Sequence, residues 1–293
     1  MKYLNSKEVS GILGINISTL KRWTDSGKLG CEKTAGGHRK FTMQHIRDYY
    51  KTHSNSSKSD SLSLDSKDHK KIYGLINQQN YKQLAIDLSD ASIKADESTV
   101  DTIINGLYMN GTPVADLFDF VVDVAGNIVE DQLKNNKIAH TEAYLSRKII
   151  TRSVDGLNRD KPNGNFNGKN ALCINFEDNL PDIGVVMSEV LMRHSGYNVF
   201  NSGSHAELGE LSEIIIKRKI DIVLFYLCNL QCCNAVVEDN VSKTVTQIFD
   251  SIKMAKKLDI KILFGGEGLF LLDDIKGKID NSFLTYNDLR KLI

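Results

Sequence analysis

The stretches that decide the fold of the N-terminal part are Ser6 to Leu29, SKEVSGILGINISTLKRWTDSGKL, and Gly36 to Phe41, GGHRKF. The first predicts two short helices joined by a tight turn at Gly14, which together make a helix-turn-helix. We expect Ser18 to cap the second helix and Gly27 to end it. The glycine pair of the second stretch predicts a β-hairpin tip, followed by a third helix from about residue 42 to residue 51.

The second helix has the composition of a helix that reads DNA. A helix in the major groove needs short polar or cationic side chains on its outer face, together with cations directed at phosphates. Leu20 and Trp23 are expected to face inward. The opposite face and the hairpin tip then carry the candidate DNA-binding residues, which are Ser18, Thr19, Lys21, Arg22, His38, Arg39 and Lys40.

The charge of the chain is distributed unevenly. The 293 residues include 37 basic and 37 acidic side chains, so the formal net charge is zero. Residues 1–53 nevertheless hold ten basic and four acidic side chains, which leaves 27 basic and 33 acidic ones in the remainder. A basic head on an acidic body predicts that only the head meets a polyanion.

Residues 1–50 resemble the MerR-type winged helix throughout, on the two stretches quoted above. The resemblance implies sequence-specific binding of double-stranded DNA by a dimer. It places the second helix in the major groove and the hairpin, the wing of this module, on phosphates. A protein with two-fold symmetry is then expected to bind a roughly palindromic operator.

Two segments without hydrophobic periodicity divide the rest of the chain. Seven of the fourteen residues from Ser54 to Lys67 are serine, a composition typical of a flexible linker. Periodicity stops again at Asn158–Lys169, where Asn, Gly and Pro residues cluster. The sequence therefore predicts a DNA-binding head over residues 1–53, a linker over 54–67, and two further domains over 68–157 and 169–293.

These two domains differ in their periodicity. In residues 68–157 apolar side chains recur every three or four positions, which predicts a bundle of four or five helices, with a long one from about Val114 to Lys134. In residues 169–293 strand-like and helical stretches alternate, which predicts a Rossmann-like (flavodoxin-like) parallel sheet. The strand-like runs are residues 171–176, 198–201, 221–228, 261–264 and 282–286, and the helical stretches are residues 183–194, 208–219 and 241–258. The expected fold class is thus multidomain, α and α/β. Ligands of such sheets bind at the carboxyl ends of the strands, and the expected rim comprises residues 176–184, 202–205, 227–233 and 265–268.

The order of head, bundle and α/β domain resembles the cobalamin-binding, light-responsive repressors of carotenoid synthesis over essentially the whole chain. In that family a Trp and a Glu-His pair in the bundle cap the upper face of cobalamin, and a loop histidine of the α/β domain is the lower ligand. A serine after the third strand and a Gly-Gly pair after the fourth make room for the nucleotide tail.

The chain departs from this family pattern at the positions whose side chains hold the cofactor. Pro181 stands at the position of the lower histidine, and proline cannot bind a metal. The bundle has no tryptophan, since Trp23 is the only one in the chain. We therefore expect no cofactor, and adenosylcobalamin or haem on another ligand stays open as an alternative. The rim positions that the resemblance marks are Pro181, Gly184, Tyr226, Cys228, Gly265 and Gly266.

The cysteines, histidines and acidic residues of the α/β domain point to a function less specifically. Three cysteines near the end of the third strand can serve in the core, sense redox state or bind metal or haem, although their spacing is not that of a zinc site. His194 and His205 are expected at the surface, with either one an alternative metal ligand. No catalytic constellation or phosphate-binding loop emerges. The groups on this rim are Cys228, Cys232 and Cys233, and the acidic Glu177, Asp178 and Asp182.

The sequence predicts a cytoplasmic, nucleoid-associated transcriptional regulator that is not an enzyme. Five cysteines give no disulfide framework, and no apolar run is long enough to cross a bilayer. We expect a repressor that binds operator DNA as a homo-oligomer and receives its signal from a regulatory protein or a small ligand, without family-type cobalamin ligation. The alternatives are a cobalamin- or haem-dependent light or redox sensor and a corrinoid carrier for methyl transfer.

Overall fold

The computed structural model describes three successive units, a small head, a helical bundle and an α/β sheet. The multidomain fold class predicted from the sequence is confirmed. In the part of the chain that is described, no helix is long and apolar enough to cross a membrane. The described residues are 3–13, 15–34, 36–42, 44–46, 48–49, 67–159, 166–175, 183–203, 208–227, 241–272, 277 and 279–293.

The head contains the predicted helix-turn-helix and hairpin. Its first two helices are Ser6–Leu13 and Ile17–Asp25, and its antiparallel strands are β1, Glu32–Lys33, and β2, Arg39–Lys40. Residues 44–46 and 48–49 are also helical, whereas residue 42 is not, and residues 43, 47, 50 and 51 of the expected third helix lie outside the described residues, as does Gly14. The core of the head is formed by Val9, Leu20, Leu29, Phe41 and Ile46.

The prediction that Ser18 caps the second helix was wrong. Asn16 is the capping residue, and its side-chain oxygen accepts a hydrogen bond from the backbone N–H of Thr19 at 2.8 Å. Because Ile17 is already helical, the unpaired N–H groups of the first turn lie within reach of Asn16. The Ser18 hydroxyl donates to the same Asn16 oxygen at 2.6 Å and so supports the cap from inside the helix.

The bundle has five helices, and the fourth contains an irregular turn. A five-residue π-helical segment, Phe118–Val122, joins Val114–Leu117 to Asp123–Lys134, so the long helix expected from Val114 to Lys134 is continuous. This helix begins after Pro113, which suits proline because it has no N–H to leave unpaired. The other four helices are Lys67–Asn77, Tyr81–Ile93, Glu97–Met109 and His140–Gly156.

The α/β unit is a five-stranded parallel sheet. One helix, Ile183–His194, packs on the face that adjoins the bundle, and two, Leu208–Arg218 and Val241–Leu258, pack on the opposite face. A further helix, Tyr286–Leu292, ends the chain. The strands are β3, Asn170–Asn175, β4, Asn198–Gly203, β5, Ile222–Tyr226, β6, Lys261–Gly265, and β7, Ser282–Phe283.

The bundle and the sheet share one apolar core. Tyr108 of the bundle is fully buried, and its hydroxyl lies 2.9 Å from Nε2 of His194. The other ring nitrogen of His194 lies 2.8 Å from the carbonyl oxygen of Val190, which can only accept, so Nδ1 carries the hydrogen. His194 is half-buried, so the expected surface histidine is only partly exposed, and its side chain joins the two units.

Candidate functional site

The outer face of the helix Ile17–Asp25, called the reading helix below, carries polar and cationic side chains. Leu20 on the inner face is fully buried, and Trp23 beside it is half-buried. Ser18, Lys21 and Arg22 on the outer face are exposed, and Thr19 is half-buried. The structure thus divides the helix into the two faces that its sequence predicted.

The inner face of the reading helix is fixed against the last helical segment of the head. The Trp23 ring stacks on the Tyr49 ring with their centroids 4.9 Å apart. The ammonium group of Lys28 lies 4.5 Å from the centroid of the Trp23 ring, within the range of a cation–π interaction. These contacts hold the outer face of the helix in one orientation.

The wing, residues 32–40, is a tight hairpin beside the reading helix. The N–H of Gly37 donates to the carbonyl oxygen of Thr34 at 2.8 Å, and the N–H of Thr34 donates to the carbonyl oxygen of His38 at 3.0 Å. Gly37 has a φ of +77°, a backbone conformation that glycine adopts without strain. His38 and Lys40 are both exposed next to this turn.

Arg39 differs from the other candidate DNA-binding residues because its guanidinium is engaged inside the head. Its Nε donates to Oγ1 of Thr24 at 2.7 Å, and its Nη2 donates to Oδ1 of Asp25 at 2.7 Å. The side chain of Arg39 is only 15% exposed. The hydrogen bond from Arg39 lowers the pKa of Asp25, and Lys33 at 3.5 Å acts in the same direction.

Arg39 thus ties the wing to the end of the reading helix. Sequence reasoning did not single out Thr24 or Asp25, although a carboxylate at the end of a helix beside an arginine-bearing hairpin is a signal that could have done so. Of the candidate DNA-binding residues, Ser18, Lys21, Arg22, His38 and Lys40 are exposed to solvent.

A second candidate site is the crevice at the carboxyl ends of the parallel strands. In the sheet order β4-β3-β5-β6-β7, β3 connects to β4 on one side and β5 connects to β6 on the other, so the chain leaves the neighbouring strands β3 and β5 in opposite directions. Sheets of this kind bind ligands at such a point. Gly184 is the second residue of the helix that follows β3, and Gly265 ends β6. The rings of Tyr226 and Phe283 lie against these two glycines. We call this place the switch-point crevice.

Several predicted rim residues lie outside the described part of the chain. Among the described residues, no three His, Cys, Asp or Glu side chains come together in a way that could hold a metal ion. Cys173 is fully buried in β3, and burial raises the pKa of its thiol. The predicted residues that lie outside the described part are Glu177, Asp178, Pro181, Asp182, His205, Cys228, Cys232 and Cys233.

The head matches a known family of DNA-binding regulators. Residues 4–49 match the family model described as MerR HTH family regulatory protein. The match covers the reading helix, the wing and the residues that join them. No curated protein sequence matches the chain.

Three solved structures align with most of this chain at low sequence identity. The Methanosarcina barkeri monomethylamine corrinoid protein aligns at 16% identity with a TM-score of 0.53, over 72% of this chain and 97% of its own. A cobalamin-binding protein from Desulfitobacterium hafniense aligns at 16% identity, over 70% and 94%, with a TM-score of 0.33. The methanol:cobalamin methyltransferase complex from Methanosarcina barkeri aligns at 15% identity, over 86% and 97%, with a TM-score of 0.31. The first likeness shows that this chain shares its fold with that protein.

Proposed function

We propose that the chain is a transcriptional regulator that binds duplex operator DNA through its head and represses transcription. One observation carries the proposal, namely that an N-capped helix exposes Ser18, Lys21 and Arg22 beside a wing that exposes His38 and Lys40. The match of residues 4–49 to the MerR HTH family supports it.

The exposed side chains divide between base reading and phosphate binding. Arg22 lies on the outer face of the reading helix, where a guanidinium can donate two hydrogen bonds to a guanine. Ser18 lies in the first turn of the same helix, where its short side chain allows close approach to the DNA. Lys40 on the wing is a point charge suited to a phosphate. In this proposal Arg39 is a positioning residue, because it sets the distance between the helix and the wing.

The body, residues 68–293, provides oligomerisation and receives the signal in this proposal. A two-fold symmetric dimer would place two reading helices in successive major grooves of a roughly palindromic site. The signal comes from a regulatory protein or a small ligand, without family-type cobalamin ligation. The protein acts in the cytoplasm, where the DNA is, and has no catalytic role.

Selection of binding sites tests the proposal directly. The purified full chain is mixed with a pool of random duplexes, and the bound fraction is amplified and sequenced. We expect enrichment of one motif with two-fold symmetry. Affinity for that motif is then titrated against salt by fluorescence anisotropy, and log K should fall with log salt at about −0.9 per phosphate contacted. Failure to enrich a motif, or a flat salt dependence, would contradict the proposal.

Three substitutions separate the proposed roles. Arg22→Ala should relax the base preference at one position of each half-site and cost about 1–3 kcal/mol there. Lys40→Ala should weaken binding to every sequence and reduce the salt slope by about one. Lys137→Ala is the matched control, because it removes an equal charge from an exposed position on the acidic body. This control should leave both measurements unchanged.

The two alternatives have a common test. The full chain is incubated with adenosylcobalamin or haem and desalted, and its absorbance spectrum is recorded. The proposal predicts that no chromophore is retained. A retained chromophore together with operator binding would favour a cobalamin- or haem-dependent sensor, and methyl transfer to an acceptor would favour a corrinoid carrier.

A further inference from the structure

Four residues at the carboxyl ends of neighbouring strands lie in one row across the sheet. Asn175 of β3 pairs with Tyr226 of β5, Tyr226 pairs with Gly265 of β6, and Gly265 pairs with Phe283 of β7. Side chains that share such a row project from the same face of the sheet. Tyr226 and Phe283 both pack on the core shared with the bundle, so the row faces the bundle.

The ring of Tyr226 lies in a slot between two glycines. A Cβ atom on Gly184, at the start of the helix after β3, would overlap this ring. A Cβ atom on Gly266 would lie 3.0 Å from the Cε1 and Cζ atoms of the same ring and would also overlap the carbonyl oxygen of Leu227. The ring is accommodated there because both neighbouring residues lack a side chain.

The ring of Phe283 has the same relationship to Gly265. A Cβ atom on Gly265 would overlap the Phe283 ring, which is itself 2% exposed. Gly265 is the one member of the row without a side chain, and the ring of its neighbour on β7 fills the gap that results. Both glycines of the predicted Gly-Gly pair are therefore in contact with aromatic rings of the same chain.

This filled space is where a ligand would be expected. In open α/β sheets ligands bind outside the carboxyl ends of the strands at the switch in strand order, which here lies between β3 and β5. Glycines at such a point allow a ligand to approach the backbone closely. In this chain the side chain of Tyr226, at the end of β5, makes that approach instead.

We propose that Tyr226 and Phe283 form a built-in plug of the switch-point crevice. The two rings take the room that the resemblance to cobalamin-binding repressors assigns to the nucleotide tail, and the residues present do not fit that group. The α/β domain then folds and functions without a corrinoid. The inference rests on the proposed function in one respect. The filled crevice explains how the body receives a signal without cobalamin only if the body is the part of a regulator that receives the signal.

A pair of substitutions tests whether the ring occupies the slot. Gly184→Ala is made in the wild-type chain and in a Tyr226→Ser chain, and thermal unfolding is followed by circular dichroism. In the wild type the new methyl group has to displace a ring, so we expect Tm to fall by about 5 °C. In the Tyr226→Ser chain the slot is open, and the same substitution should change Tm by less than half as much.

Gly126→Ala is the matched control. Gly126 lies in the helix Asp123–Lys134, and a Cβ atom there would meet no atom within 4 Å. This substitution should have the same small effect in both backgrounds. Equal effects of Gly184→Ala in the two backgrounds would overturn the proposal. If Gly184→Ala alone yields no folded protein, recovery of folded protein in the double variant supports the plug, and failure to recover it overturns the plug.

A ligand measurement gives an independent readout. The wild-type full chain is incubated with adenosylcobalamin or with dimethylbenzimidazole, the aromatic part of the nucleotide tail. We expect no corrinoid absorbance after desalting and no rise in Tm with dimethylbenzimidazole, and either signal would overturn the proposal. Operator binding is measured on the same samples. If the chain binds the operator but Gly184→Ala has equal effects in the two backgrounds, only the plug proposal is overturned. If the two effects differ as expected but the chain does not bind an operator, only the proposed function is overturned.

Discussion

The guanidinium of Arg39 on the wing lies 2.7 Å from the carboxylate of Asp25 at the end of the reading helix. The same side chain donates to Thr24, one residue earlier. The position of the wing therefore depends on the reading helix, although the two elements are separated along the chain by the loop after Gly27.

Breaking this pair should weaken operator binding through geometry. Arg39→Gln and Asp25→Asn should each lower the affinity by about tenfold, and the double variant should be no worse than Arg39→Gln alone, because residues in contact have non-additive effects. Fluorescence anisotropy with the selected operator measures all three. Lys33→Gln is the control for the loss of a wing cation, because it removes an equal charge but only a 3.5 Å contact between two half-exposed side chains, so its effect should be smaller than that of Arg39→Gln. A wild-type affinity for Asp25→Asn would show instead that Arg39 acts on phosphate directly.

Leu20→Ala should unfold the head and spare the body. Leu20 is fully buried, and shortening its isobutyl side chain to a methyl group costs about 2–5 kcal/mol. Trp23 is the only tryptophan of the chain, so its fluorescence reports the unfolding of the head, and circular dichroism reports mainly the helices of the body. Ile17→Ala is the control, because Ile17 is 43% exposed and should cost much less. Similar losses for the two variants would contradict the assignment of the inner face.

Asp119→Ala should destabilise the junction between the bundle and the sheet. The Asp119 carboxylate accepts hydrogen bonds from the backbone N–H groups of Tyr286 and Asn287 at 2.6 and 3.0 Å, at the start of the last helix. Loss of such a cap costs about 1–2 kcal/mol, which should lower the Tm of the body by a few degrees. Asp131→Ala, at an exposed position of the same bundle helix, should leave Tm unchanged. An unchanged Tm for Asp119→Ala would mean that this contact does not stabilise the junction.

Cys173 should be inert to alkylation in the native protein. Burial raises the pKa of its thiol above the ordinary value of 9.0, so the folded state holds the neutral form and loses stability only as the pH rises above that value. With iodoacetamide at about pH 8.5, peptide mapping should show modification of the half-buried Cys31 and none of Cys173. Cys173 should react once urea unfolds the chain. Equal rates in the folded protein would contradict its burial.

Local periodicity was enough to predict most elements of the body. The helices Ile183–His194 and Val241–Leu258 begin and end where the sequence predicted. Their apolar spacing reflects burial against a sheet, which is a property of each segment by itself. The five strands were predicted for the same reason, with their ends displaced by at most three residues.

Some contacts could not be predicted from the sequence because they depend on tertiary structure. Others could not be predicted because two neighbouring residues were chemically suited to the same role. Asn16 and Ser18 are both good caps, and only the backbone conformation decides between them. Arg39 on a basic hairpin resembles a phosphate ligand until the wing folds back on Asp25. The Tyr226 ring lies against Gly184 because strand register and helix packing bring distant parts of the chain together. Pro181 and Cys228 stay predictions, since they lie outside the described residues.

The core that Tyr108, Phe118 and Tyr286 share across the bundle and the sheet has a consequence for the way this body is handled. If a proteolytic cut between residues 159 and 166 separated the two halves, each half would expose a large apolar surface to water, and both should precipitate. Recombination that exchanged the sheet alone would produce the same damage. The bundle and the sheet therefore have to be transferred together as one unit, both in evolution and in protein engineering.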